Sequence, residues 1–319
     1  MKSAEWLLSY PGTSFSFGEG QPVELWGPPE FGDAELTSDD EARPRMDGTM
    51  FGQDFRGGRT ITFTLGMQVE NDHAAVMQLA SRLETAWRGD AVRSTPAAVA
   101  TLTSGEANRM VLGRPRRLAI DYAGLYRGWL RAVADFATID DVWYDAQQRF
   151  ANVQVAPPSS GGFLAPFITP IGTMAPATAH GVINVVTELP AWTVATIYGP
   201  ISNPTFRVTN LFDLKLRTSI PAGESVTIDT RPWKRTILRD SDGASLAGKL
   251  DRRTRLDRTG LSAGRHEIAL LGTDGTGSAS MTVRWAGSYA SMAGGLTPPD
   301  VVDGLILESG SGGNEGMVA

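Results

Sequence analysis

The sequence contains no cysteine and only three histidines among its 319 residues. Without cysteine the chain forms no disulfide, no thiolate metal site and no cysteine nucleophile, so its stability must come from packing or from association with other copies. His73, His180 and His266 lie far apart, and none has a second histidine at the spacing of a zinc-binding helix. We therefore expect a chain that holds no metal and no cofactor.

Long hydrophobic runs are also missing. No stretch reaches the roughly eighteen apolar residues that a membrane span requires. Glu5 interrupts the opening MKSAEWLLSY, where a signal peptide needs an unbroken apolar region. The net charge of −6 disfavours nucleic acid as the main ligand, because binding phosphates needs a basic face. We expect no membrane insertion and no export, and we interpret the basic runs at 113–118 and 249–258 as solvated surface.

Catalytic signatures are scarce as well. The segment AGESVT around Ser225 lacks the second glycine of a nucleophile elbow. The segment GTDGTGSAS lacks the Gly-Lys-Ser/Thr ending of a phosphate loop and lies between two predicted strands. Asp240 and Asp242 precede Gly243, but the closing glutamate of a calcium loop is absent. We therefore expect a protein that is not an enzyme.

The chain length favours two domains, with one large β domain as the alternative, because one hydrophobic core seldom serves 319 residues. In RTITFTLGMQV, residues 59–69, apolar and polar residues alternate, which predicts a half-buried strand. The following segment changes to helical spacing, with Asn71 or Asp72 as N-cap and Gly89 at the C-terminus. These patterns predict an α+β, mainly β fold whose N-terminal domain, residues 1–155, has one amphipathic helix.

Two further regions complete this predicted domain. Residues 27–58 are rich in glycine, proline and acidic residues, which is typical of a loop or a long flexible hairpin. Such a long loop is uncommon in a compact domain unless it is functional, so we expect it to become ordered against a partner. Residues 116–150 predict further strands with their aromatic residues chiefly in the core, and a helix at 128–137 remains an alternative.

The second half of the chain has a different composition. Residues 156–180 are rich in proline, glycine, serine and threonine, which predicts an interdomain linker. Residues 181–290 contain many short β-like runs separated by turn residues, which predicts an antiparallel β-sandwich or jelly roll. Residues 291–319 predict an extended C-terminal arm.

Tryptophan supplies the candidate interaction residues of this half. In RPWKR, Trp233 follows a predicted strand, and it either packs at a sheet edge or is exposed for a partner. Trp192 and Trp285 lie in other predicted strands of the same domain. All three could stack on a sugar ring or contact another protein.

Several stretches, taken in order, resemble the distal tail protein, or minor tail protein, of long-tailed, siphovirus-type bacteriophages. In the first half they are DGTMFGQDFRGGRTITFTLGMQV and the helix NDHAAVMQLASRLETAW. In the second half they are GPISNPTFRVTN, IPAGESVTIDTRPWKRTI and LSAGRHEIALLGTDGTGSASMTVRWAGSY. The resemblance spans about residues 27–289, and it rests on the order of these motifs more than on any one of them.

This resemblance implies a structural virion protein of the phage tail tip, assembled in the host cytoplasm. The N-terminal domain would form a homohexameric ring that joins the tail tube to the tip or baseplate. The C-terminal domain would be a galectin-like sandwich that anchors other proteins. The implied partners are further copies of the chain, the tail tube protein, and the tape-measure or other baseplate proteins. DNA would only pass through the channel.

Two hypotheses concern residues 27–58. An edge strand or hairpin of one copy can meet a different surface of the next copy, which closes a ring. The acidic residues between Glu30 and Glu41 either face a DNA channel and repel the genome, or form an ordinary solvated loop.

Two other functions remain as rivals to the hub. A carbohydrate-binding β-sandwich module for attachment to the host cell wall would use Trp192, Trp233 and Trp285 to stack on host glycan. A tail-tip hydrolase is the weaker rival, since the sequence lacks a catalytic constellation.

Overall fold

The computed structural model describes residues 5–70, 72–155, 180–274 and 277–295. The predicted linker, apart from His180, and the predicted C-terminal arm beyond Gly295 lie outside these residues. The described chain is mainly β and antiparallel, with one helix of several turns, α1 (His73–Arg88), and a single-turn helix, α2 (Asp90–Arg93). Neither of these helices is long and apolar enough to cross a membrane.

The strands, in chain order, are β1 (Glu5–Tyr10), β2 (Thr13–Gly18), β3 (Val23–Leu25), β4 (Glu30–Phe31), β5 (Leu36–Ser38), β6 (Glu41–Ala42), β7 (Thr49–Met50), β8 (Asp54–Arg56), β9 (Thr60–Gln68), β10 (Ala100–Ser104), β11 (Arg109–Asp121), β12 (Trp129–Thr138), β13 (Trp143–Asp145), β14 (Arg149–Gln154), β15 (His180–Val185), β16 (Thr193–Tyr198), β17 (Ile201–Val208), β18 (Phe212–Lys215), β19 (Ser219–Ile220), β20 (Ser225–Asp229), β21 (Thr236–Arg239), β22 (Gly264–Thr273), β23 (Ser280–Trp285) and β24 (Ser288–Tyr289).

The N-terminal sheet has the order β2-β1-β10-β11-β12-β9-β3, with β4 also beside β9 and β13 beside β11. Strand β9, predicted from the alternation at 59–69, lies between β12 and the short edge strands β3 and β4. The apolar face of β9 is fully buried: Ile61, Phe63, Leu65 and Met67 are 0% exposed. The neighbouring β12 also alternates buried and exposed residues and pairs with β9 along its length. The helical alternative for 128–137 is therefore wrong.

Helix α1 covers the buried face of this sheet. The Asp72 carboxylate accepts a hydrogen bond from the Ala75 amide at 2.9 Å, and Gly89 ends the helix in the left-handed conformation, with φ of 61°. Trp87 packs edge-on against Phe17 and Phe63, at ring separations of 5.9 and 6.4 Å. The predicted helix and both of its caps are thus confirmed, and its apolar stripe seals the first core.

Residues 30–58 form a projecting hairpin, called the arm below. Two short ladders build it: β5 pairs with β8, and β6 pairs with β7. Every residue of these four strands is exposed. Of the two alternatives for this region, the hairpin is the one that the chain adopts.

The C-terminal unit consists of two sheets around one core. The second sheet has the order β14-β23-β16-β20-β21, and the third has the order β15-β22-β17-β18 with β19 also beside β17. Both sheets contribute buried side chains to the shared core, including Ile197, Ile228, Met281, Phe206 and Ile268. Short strands with turns are thus found where the sequence predicts them.

The chain crosses between the two units in a way that differs from the predicted boundaries. Residues 149–154, which the sequence analysis groups with the N-terminal domain, form β14 and pair with β23 of the second sheet. Residues 288–289, grouped with the C-terminal domain, form β24 and pair with β13 of the N-terminal sheet. The alternation of a short strand shows which of its faces is buried but not which sheet it joins.

The expectation that the aromatic residues of 116–150 lie chiefly in the core holds only in part. Phe136 and Trp143 belong to the first core. Three others are exposed to solvent: Tyr122 by 44%, Tyr126 by 88% and Phe150 by 68%. Phe150 is exposed because β14 lies at the edge of the second sheet with this residue on its outer side.

Candidate interaction surfaces

A buried arginine holds together β13 and β24, the two strands at which the chain passes between the units. Arg109 of β11, only 6% exposed, donates to the Asp145 carboxylate at 2.5 Å and to the Gly294 carbonyl at 2.6 Å. Its guanidinium lies over the Tyr289 ring, 3.8 Å from the centroid. Asp145 also accepts from the Gly287 amide at 3.2 Å. A buried charge is tolerated only when it is paired, so this cluster, called the junction below, fixes β13 and β24 as one structure.

Beside the junction, a cleft of about 360 Å³ separates the two units. On one side are the outward-facing residues of β1, β10 and β11 in the N-terminal sheet. On the other side are β16, β23 and the turn that leads into β21. Trp192, Trp233 and Trp285 all line this cleft, although each comes from a different part of the C-terminal unit. The structure therefore brings the three candidate tryptophans together.

The three tryptophans differ in their surroundings. Trp233 is half-buried and packs edge-on against Tyr144 of the N-terminal sheet, with ring centroids 5.6 Å apart. Trp192 is also half-buried, whereas Trp285 is 6% exposed and belongs to the core of the C-terminal unit. Trp233 is thus a packed residue, but its partner is the other unit rather than its own sheet.

Arg231 also contacts Trp233. Its guanidinium lies 5.8 Å from the Trp233 ring centroid and forms a two-point ion pair with Asp229, at 2.8 and 2.5 Å. Asp229 is 3% exposed, so this pair is largely shielded from water. The arginine-rich turn RPWKR is therefore a rigid wall of the cleft.

A shielded carboxyl group lies under the cleft. Asp140 accepts a hydrogen bond from the Tyr144 hydroxyl at 2.6 Å. Burial raises the pKa of Asp140 to about 6, and the hydrogen bond from Tyr144 lowers it by less. Burial and the nearby Asp140 charge also raise the pKa of Tyr144. Protonation of Asp140 near neutral pH is thus linked to a residue that touches Trp233.

The next residue of the same loop holds the base of the arm. Asp141 forms ion pairs with Arg56, at 3.3 Å, and with Arg59. Thr138 adds a hydroxyl that accepts from the Arg59 amide at 2.8 Å and donates to the Asp140 carbonyl at 2.7 Å. One loop, residues 138–141, therefore connects the base of the arm with the cleft.

The arm itself carries many exposed apolar side chains. Five of these, with their exposed fractions, are Leu36 (59%), Met46 (73%), Met50 (54%), Phe51 (88%) and Phe55 (57%). Single exposed apolar residues are common, but a group on one projecting hairpin marks a contact surface. The acidic residues between Glu30 and Glu41 are exposed on the same arm.

The charged residues at the junction and under the cleft were not predicted from the sequence. Arg109 and Asp145 are 36 positions apart and have no periodic relation that would pair them. Asp140 lies in IDDVWYD, where acidic residues are interleaved with aromatic ones. That interleaving was the available signal, because a carboxylate beside aromatic rings is a candidate for desolvation.

Comparisons with known proteins give likeness in structure only. No family model matches the sequence, and no curated protein does. The structure is similar to that of the SPP1 Dit (gp 19.1) protein, described as a paradigm of the hub adsorption apparatus in phages that infect Gram-positive bacteria, with a TM-score of 0.54 and 9% identity. That match covers 89% of this chain and 99% of the other.

Chains of the phage P2 baseplate are similar to the same degree. The baseplate in its activated conformation with Ca matches with a TM-score of 0.54 and 13% identity, over 89% of this chain and 98% of the other. The form with Sr gives a TM-score of 0.53 and 12% identity, over 88% and 97%. The chain therefore shares its overall fold with solved hub and baseplate proteins of bacteriophages.

Proposed function

We propose that this chain is a structural hub protein of a bacteriophage tail. The observation that carries the proposal is that its fold matches phage hub and baseplate chains over 97 to 99% of their length. Because the match also covers 88 to 89% of this chain, it includes both units and not only one common β-sheet module. In this proposal the protein is a virion component at the distal end of a siphovirus-type tail, and it is not an enzyme.

Within this function, the N-terminal unit is the ring-forming domain, and six copies form the ring. The exposed apolar arm supports this assignment, because a projecting hairpin on one copy and a different surface on the next make a heterologous contact that closes into a ring. The ring continues the tail tube, and DNA passes through it. The acidic residues of the arm face that channel.

The C-terminal unit is proposed to be a galectin-like sandwich that anchors other tip proteins, such as the tape-measure or further baseplate proteins. The sequence predicts residues 156–180 as the interdomain linker; because residues 149–154 already pair with the second sheet, the proposed crossing between the units lies at residues 146–148 instead. Residues 291–319 are proposed to form an extended arm. Trp192, Trp233 and Trp285 serve this role by fixing the wall of the cleft. The Arg231 guanidinium over the Trp233 ring supports this role over sugar stacking, because the ring face of a sugar platform has to be free.

The test is the mass of the purified protein by light scattering, followed by negative-stain electron microscopy of the same fraction. We expect a closed ring of about six copies, as a heterologous interface permits. A shortened arm tests the interface. Ser38 and Asp54 face each other in the β5–β8 ladder, so an Asn-Gly turn can join them in place of residues 39–53.

The shortened protein is expected to fold as a monomer. Intact rings of this variant would refute the arm as the ring contact. A wild-type protein that stays monomeric, even with the tail tube protein added, would refute the hub itself.

A further inference from the structure

The outer face of the third sheet carries a groove of about 1050 Å³, on the side of the C-terminal unit away from its core. His180, Arg207 and Asp213 line it and lie in one row across the sheet, with the fully buried Ala269 paired between His180 and Arg207. The turn at Asn210 and Leu211 closes one end, and residues Asp251 to Thr254 form a side wall.

The polar groups of this groove are held in fixed positions. Arg207 donates to both oxygens of Asp213, at 2.7 and 2.8 Å. His180 lies 3.0 Å from one oxygen of Glu267, and the Thr209 hydroxyl donates to the other at 3.3 Å. These planar groups can form further hydrogen bonds with a ligand, because Arg207 has another NH₂ group and each carboxylate oxygen has a second lone pair. The groove thus offers adjacent donors and acceptors without a large ordering cost.

The charges of the groove balance. Its lining includes the cations Arg207, Lys215 and Arg253 and the anions Asp213, Asp251 and Glu267. Bringing a charged ligand into a balanced set gives no net electrostatic gain, whereas a neutral ligand with many hydroxyl groups can use both signs. Leu211, which is 46% exposed at the rim, adds an apolar contact. This pattern favours a neutral polyhydroxyl compound over a phosphate or a charged peptide.

The edge of the sheet at the groove is not open to an added strand. The Asp251 amide donates to the Lys215 carbonyl at 2.9 Å, and the Thr254 hydroxyl donates to the Asp213 carbonyl at 3.1 Å. Both outward-facing carbonyls of β18 are therefore occupied. A partner protein could not extend the sheet here, which is the usual way in which an extended peptide binds a β-sheet.

We propose that this groove binds a neutral saccharide, with Arg207 and Asp213 as its central recognition pair. The site is separate from the tryptophan-lined cleft, and it adds glycan recognition to the proposed hub. The hydroxyl groups of adjacent sugar carbons accept from the free guanidinium nitrogen and donate to the carboxylates. The apolar face of the sugar lies against Leu211.

The test uses the full chain and a fixed set of probes: lactose, cellobiose, maltotriose, chitotriose and, as a charged control, trigalacturonic acid. Saturation-transfer NMR detects binding, and isothermal titration calorimetry gives the dissociation constant. At least one neutral sugar is expected to bind saturably. Arg207→Ala is expected to weaken that binding at least about tenfold, because it removes the bidentate anchor. Arg207→Lys keeps the positive charge but loses the two-point geometry of the guanidinium, and it is also expected to weaken sugar binding.

The matched control is Arg255→Ala. Arg255 forms the same kind of two-point pair, with Asp257 at 3.0 and 2.6 Å, but it does not line the groove. Its loss is expected to leave sugar binding unchanged. The proposal is overturned by no saturable binding of any neutral probe, by preferred binding of trigalacturonic acid, or by equal losses in the two variants. None of these results affects ring formation, so the hub function is tested independently.

Discussion

Asp140 is expected to make the protein less stable as the pH rises from about 4 to about 6. Burial raises its pKa from 3.8 to about 6, so folding disfavours the ionised form relative to the protonated form by about 3 kcal/mol. Because the pKa of the folded state lies above that of the unfolded chain, the folded protein binds more protons between about pH 4 and pH 6. This contribution is therefore complete below that window and is lost as the pH rises through about 6.

The variant Asp140→Asn removes the titration and keeps a group that accepts from Tyr144. The free energy of unfolding of the wild type and of the variant is measured with urea at several pH values. The change with pH of the difference between the two proteins reports the titration of Asp140 alone. Between about pH 4 and pH 7.5, the variant is expected to gain about 3 kcal/mol relative to the wild type. Any constant offset from burying the amide cancels in this comparison.

Two further measurements check that the titration of Asp140 causes this pH dependence. The ¹³C shift of the Asp140 carboxyl group reports its pKa directly, and Tyr144→Phe is expected to raise that pKa further because it removes a stabilising hydrogen bond. Asp257→Asn is the control with opposite sign, since the exposed Asp257 carboxylate has a pKa lowered by Arg255. A difference between wild type and Asp140→Asn that does not change with pH would refute the reasoning.

Three further outcomes are expected. The double variant Phe51→Ser, Phe55→Ser removes two exposed aromatic side chains from the arm. It should abolish the oligomeric ring in light scattering without lowering the melting temperature of the monomer. Oligomeric rings that persist would contradict the assigned interface. Arg109→Ala leaves Asp145 buried without its cation and should cost about 3 to 5 kcal/mol in urea unfolding, whereas a loss under about 1 kcal/mol would show that water replaces the guanidinium. Leu65→Ala empties a fully buried site in β9 and should cost about 2 to 5 kcal/mol, and a smaller loss would mean that the core collapses onto the gap.

Local patterns in the sequence predict the elements that are defined by their own residues. In β9 the alternation from Ile61 to Met67 matches the buried face residue by residue. In α1 the capping residues Asp72 and Gly89 set both ends, so the helix follows from a short window of sequence. The turns between the strands of the C-terminal unit are also local, which is why their positions were predictable.

Features that depend on distant residues were not predictable in the same way. Arg109 reaches Gly294, 185 positions along the chain, and no local pattern encodes that contact. The cleft exists only because two sheets meet, so the three tryptophans could be named as candidates but not placed together. The arm was ambiguous because its exposed strands lack an alternating buried face.

The crossing of the chain has a mechanical consequence. The C-terminal unit leaves the N-terminal sheet after β13 and comes back to it at β24, and these two strands are hydrogen-bonded to each other. A unit held by a single linker would swivel freely, whereas one held by two tethers that meet at the same strand pair resists torsion. A pull on the C-terminal unit therefore loads both tethers at once and reaches the rest of the N-terminal sheet through the β11–β13 pair, where Arg109 is paired with Asp145.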